Sequence, residues 1–166
     1  MNKLLKTLMY VSVLATALSC AKESTEDTSG IQDEILNAWV QINHPEKLSQ
    51  LTKSGSYILE VEQGTGGTVP DTGYVFVHYI KRDLEGNITE TNIEKYSDQL
   101  GSYYKSYDYG CDIWQVGVGA VYSGVEDMLK TLRVGGHATI AVPGSAAVCE
   151  YDLYDAFPAD NGTSFI

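Results

Sequence analysis

Basic residues are few in this chain. Eleven Lys and Arg stand against 22 Asp and Glu, giving a net charge of -11 over 166 residues. So acidic a protein repels phosphate backbones, which argues against nucleic acid as a partner. Histidine is scarcer still: His44, His78 and His137 are scattered along the sequence. They suggest no metal-ligand cluster and no serine–histidine arrangement for nucleophilic chemistry. After the first twenty residues no apolar run is long enough to span a bilayer. The glycine-rich loop at 64–73, GTGGTVPDTG, lacks the Lys-Ser/Thr pair of a phosphate loop and leads into a strand pattern, so nucleotide binding is rejected there. Cysteine is limited to Cys20, Cys111 and Cys149.

The first twenty residues are of another kind. Lys3 and Lys6 supply a positive start, and 8–18 is an apolar core too short for a stable span. The ending Ala17-Leu18-Ser19-Cys20 resembles a bacterial lipoprotein cleavage box. On that resemblance Cys20 becomes the lipidated first residue, anchored through buried methylenes. Removing Lys3 and Lys6 takes the net charge from -11 to -13. The alternative is an ordinary secretory signal with a free Cys20. Residues 21–30, AKESTEDTSG, are small, polar and acidic and read as a disordered tether. An acidic run directly after a lipidated cysteine also resembles a signal for display on the outer surface of Gram-negative bacteria. The expected location is the bacterial envelope, lipid-anchored at the outer membrane and facing either the periplasm or the exterior.

What remains is long enough for one domain with a sizeable core, and 43% of the chain is apolar. Ile31, Ile35, Trp39 and Ile42, flanked by Leu36 and Val40, form a helical stripe over 31–43, with His44-Pro45 as the stop. This stripe is expected to pack on its own domain. Alternation predicts strands over 57–63 and 74–84, the latter with Val75, Val77 and Tyr79 on one face. Glu85-Gly86-Asn87 turns the second strand into a hairpin partner at 88–92. Residues 93–111 are polar and tyrosine-rich without a clean period, and read as an inserted loop with one short helix. Val125, Met128, Leu129 and Leu132 predict a helix over 123–132, with Ser123 and Glu126 placed as a capping box. Gly135-Gly136 then turns the chain into an alternating strand over 137–143.

These motifs, in this order, resemble the FKBP-type peptidyl-prolyl cis-trans isomerases. The resemblance rests on GYVFVHY at 73–79, DLEG at 83–86, VGVGAVYSGVED at 116–127 and VGGHATIAVP at 134–143. It implies an α+β fold: an FKBP-like twisted antiparallel sheet wrapped around one short helix, here with an extra N-terminal helix. It also implies a pocket between helix and sheet, no cofactor and no metal, and proline-containing polypeptides as partners. Position by position, it places Tyr79 and Glu90 in the site and makes the Tyr122 backbone N–H a donor to the peptide. Thr89, Asp112, Trp114, Val121, Val125 and Ala147 fall on the substrate-binding positions. Thr89, Asp112, Val125 and Ala147 stand where the family has aromatic rings, so the pocket is expected to be short of aromatics unless Trp114, Tyr122 or the insert refills it. The resemblance also brings Cys111 and Cys149 to the pocket wall, where a disulfide between them is one expectation and two unrelated thiols the other. It puts the last, central strand in 156–166, either cut short by the chain end, as in a fragment, or short in itself. The function implied is prolyl isomerisation of exported proteins. The alternative is a non-catalytic binding module on a surface lipoprotein, recognising a peptide, protein or glycan.

Overall fold

The computed structural model describes residues 28–101 and 109–159. The signal segment with Cys20, the tether as far as residue 27, the middle of the insert and residues 160–166 lie outside the described residues. In order the chain forms helix α1 (Thr28–Asn43), a 3-10 turn (Pro45–Gln50), strands β1 (Tyr57–Glu62), β2 (Gly73–Asp83) and β3 (Ile88–Thr91), and helix α2 (Glu94–Gln99). Strand β4 (Asp112–Val116), helix α3 (Ser123–Leu129), strand β5 (His137–Val142), a 3-10 turn (Pro143–Ser145) and strand β6 (Ala147–Pro158) follow. All pairings are antiparallel, in the order β1-β5-β6-β2-β3, with β4 joining β2 on the edge that β3 also uses. The sheet is open, and a helix lies on each face. Among the described residues no helix is long and apolar enough to cross a membrane.

Strand periodicity explains the two helices. Val75 and Val77 of β2, Ala138 and Ile140 of β5 and Leu153 of β6 bury their side chains on one face against Val125, Met128 and Leu129 of α3. Ala141, one step along from Ile140, points the other way and joins Tyr57 and Leu59 under Leu36 and Val40 of α1. The fold class expected from the resemblance is the one observed. The insert carries one short helix, α2, at its start.

Four expectations need correction. Most of the stripe expected to anchor α1 faces outward: Ile31 and Ile35 are 48% exposed and Ile42 79%. Trp39 and the flanking Leu36 and Val40 carry the face that packs on the sheet. The indole N–H of Trp39 donates to Leu84 O at 2.9 Å, a polar anchor beside that apolar contact. Helix α3 stops at Leu129, short of 132. Thr131 N–H and Leu132 N–H donate to carbonyls three residues back, a tightened 3-10 turn, and Thr131 Oγ1 also donates to Met128 O. The capping box is not made. Tyr122 is the N-cap and contributes no side-chain cap, while Glu126 Oε1 accepts from Gly117 N–H at 3.2 Å and Lys130 Nζ at 2.7 Å.

The fourth correction concerns the centre of the sheet. It was expected in 156–166 and is supplied by Ala147–Pro158, bonded to β5 on one side and β2 on the other. Ala147, Cys149, Tyr151 and Leu153 are buried and their neighbours are not. Among the described residues the centre of the sheet is filled.

A cavity between the helix and the sheet

Between α3 and the sheet lies a cavity of about 710 Å³. Each wall comes from a different element. Tyr79 and Lys81 descend from β2, Glu90 from β3, and Trp114 with its neighbours from β4. Val121, Tyr122 and Val125 line it from the start of α3, and Cys149 and Tyr151 from β6. The glycines of the 116–121 run set this entry. Gly117 has φ +82°, and a Cβ there would overlap Asp71 O, so the chain passes close to the loop before β2 only without a side chain. Tyr122 then lies across Gly144, where an added Cβ would come within 2.7 Å of the tyrosine oxygen.

The cavity is aromatic on its sheet side. The rings of Tyr79 and Trp114 are 5.6 Å apart, those of Trp114 and Tyr151 meet edge to face at 5.8 Å, and Tyr79 and Tyr151 are 6.5 Å apart. These are favourable aromatic spacings. Tyr79 Oη donates to Glu90 Oε1 at 2.9 Å, and Glu90 Oε2 lies 3.9 Å from Lys81 Nζ, so the mouth is polar while the interior is apolar. Tyr151 is buried, which pushes its phenol far above the usual tyrosine range; the neighbouring Cys149, whose side chain it hydrogen-bonds, adds to the shift. Burial also raises the Cys149 thiol. Both stay protonated at neutral pH, so the cavity holds no charge at its base.

Seven of the sequence-derived positions meet here: Tyr79, Glu90, Asp112, Trp114, Val121, Tyr122 and Val125. Two do not. Thr89 is adjacent to Glu90 in a strand and points to the opposite side, where its Oγ1 donates to Lys81 O. Ala147 is buried in the core at the end of β6, paired with Val142 and Asp83, one alternation short of Cys149. Tyr151 was missed. Its signal was the alternation of 147–153, overlooked because the template put the last strand further on. Trp114 and Tyr151 supply rings the template positions lack.

The disulfide is absent: Cys111 and Cys149 are both free thiols. Cys111 precedes β4 and Cys149 lies in β6, and β2 runs between those strands. Two strand spacings of about 4.8 Å put β4 and β6 roughly 10 Å apart, and the registers on β2 are offset further, beyond the ~7 Å that a disulfide tolerates between Cα atoms. Among the described residues no group of His, Cys, Asp and Glu is arranged to hold a metal.

No protein-family model matches the chain, and no curated protein sequence does. Solved structures do. A peptidyl-prolyl cis-trans isomerase from Pseudomonas syringae pv. tomato superposes with a TM-score of 0.54 at 16% identity, over 81% of this chain and 97% of that one. FkpA from Escherichia coli superposes with a TM-score of 0.52 at 17% identity, over 96% of this chain and 75% of that one. At such identities the likeness is one of fold, and the chain has the FKBP-like α+β arrangement.

Proposed function

We propose that the cavity receives the proline of an X-Pro peptide and catalyses its cis–trans isomerisation. The observation that supports this best is the aromatic wall of Tyr79, Trp114 and Tyr151 facing α3, with one hydrogen-bonded polar pair, Tyr79–Glu90, at its mouth. Amide resonance sets a barrier of about 18–20 kcal/mol to rotation about the X-Pro bond. A twisted amide has lost that resonance and is less polar than a planar one. A dry aromatic wall therefore favours it over the planar ground state, with no nucleophile and no metal. The Tyr122 backbone N–H holds the peptide carbonyl, and the Tyr79–Glu90 pair keeps the ring face turned to the proline.

The test is a protease-coupled isomerisation assay. The purified protein is expected to accelerate cis-to-trans conversion of a prolyl tetrapeptide, and Tyr79→Ala to remove most of the gain. A folded protein with no rate above background, yet quenching Trp114 fluorescence on adding a prolyl peptide, would favour the binding-module reading. The small Val125, opposite the rings, favours that reading too.

The same proposal includes a lipid anchor on Cys20 at the outer membrane, with exported polypeptides as clients. Its support is the cleavage-box pattern of 17–20 and the acidic run after it. Labelled palmitate should be incorporated by the full-length chain in a bacterial host and not by Cys20→Ser; equal incorporation would remove the anchor.

A further inference from the structure

We infer that Asn92 is the positioning residue of Tyr79, its side-chain amide standing in for a stretch of missing strand; the consequence for catalysis rests on the isomerase reading. The outer edge of β2 changes partner midway. Strand β4 pairs with Gly73 to Val77, and β3 takes over at Ile80. His78 and Tyr79 lie between the two. The insert leaves the sheet at this gap, and peptide groups there would face neither strand nor water. Unpaired buried peptide groups cost free energy comparable to a lost hydrogen bond.

Side chains close the gap. Asn92, only 2% exposed, donates from Nδ2 to Val77 O at 2.9 Å. Its Oδ1 accepts from Tyr79 N–H at 2.9 Å and lies 3.2 Å from His78 Nδ1. Thr91 Oγ1 donates to Tyr79 O at 2.7 Å. The asparagine amide thus offers a donor and an acceptor as a neighbouring strand would. Aspartate keeps the acceptor and loses the donor, and alanine loses both. Two residues earlier in the same run, Glu90 accepts the Tyr79 phenol. One short segment therefore holds the tyrosine at both ends, its backbone through Asn92 and its hydroxyl through Glu90. A site ring held from both ends keeps its geometry without reorganising as substrate enters.

The experiment uses the full-length protein and the variants Asn92→Ala, Asn92→Asp and Tyr79→Ala. Amide hydrogen exchange at Tyr79 is expected to accelerate at least tenfold in Asn92→Ala and less in Asn92→Asp, because the acceptor remains. With succinyl-Ala-Leu-Pro-Phe-4-nitroanilide, kcat/KM is expected to fall about tenfold in Asn92→Ala under conditions where the variant is fully folded. In a Tyr79→Ala background the same substitution should change kcat/KM by less than about twofold, since residues acting through one another are not additive. Unchanged exchange at Tyr79, or activity losses that multiply across the two backgrounds, would overturn the assignment. If Asn92→Ala does not fold, Asn92→Asp carries the same comparison. A wild-type protein without turnover would sink the isomerase reading alone, and the exchange result would still decide what Asn92 does.

Discussion

Replacing Leu129 by alanine is expected to lower stability by about 3 kcal/mol and the melting temperature by on the order of 10 °C. Leu129 is fully buried on the face of α3 that meets the sheet. Removing its branched end takes apolar contacts from several strands at once and leaves a void. A seven-residue helix has little intrinsic stability and depends on that packing. The same helix carries Val125, one wall of the cavity, so loosened packing should also raise KM for prolyl peptides. Chemical denaturation measures the loss directly. A midpoint indistinguishable from wild type would mean that α3 does not hold this core.

The largest functional effect should come from Trp114→Ala. The indole projects from β4 into the cavity and is only half-enclosed by the fold, so its loss removes ligand contact more than core packing. If a bound proline covers roughly 100 Å² of the ring, the lost burial amounts to about 2–3 kcal/mol at about 25 cal/mol per Å². That corresponds to a fall in kcat/KM of roughly 30- to 160-fold. Stability should drop less than in Leu129→Ala. Tyr151→Phe is the matched comparison: it keeps the ring, gives up only the hydroxyl beside Cys149, and should stay within about threefold of wild type. Wild-type kinetics in Trp114→Ala would show that the aromatic wall is not where the substrate sits.

Much of this arrangement could be read from the residues themselves. Strands β1, β2, β3 and β5 announce themselves by alternation, and Tyr79, Glu90 and Tyr122 follow from motif position. The failures have separate physical causes. The apolar stripe of α1 was real, yet only Trp39 with the flanking Leu36 and Val40 meets the sheet, and periodicity does not say which part of a stripe is covered. Thr89 was assigned with Glu90 although adjacent strand residues face opposite sides. The Cys111–Cys149 pairing assumed closeness across a strand the sequence had not yet placed. Strand β6 is the instructive case. Glu150 and Asp152 interrupt the apolar pattern of 147–158, but both sit on the half-open face while Cys149, Tyr151 and Leu153 fill the other. Arg82 Nε meets Glu150 Oε1 at 2.8 Å across that face, an ion pair that accommodates the acid in mid-sheet.

That position of β6 bears on how the chain reaches its shape. The strand at the middle of the sheet is synthesised after all the other described strands. Its contacts to β2 join residues far apart, 68 positions in the case of Arg82 and Glu150. Until it emerges, β5 and β2 have no common partner, and a nascent chain can form the β2–β3 hairpin but not close the sheet. Long-range pairing of this kind slows folding, because loop-closure entropy is lost before the contacts that repay it can form. The core thus cannot close until its last described strand is available.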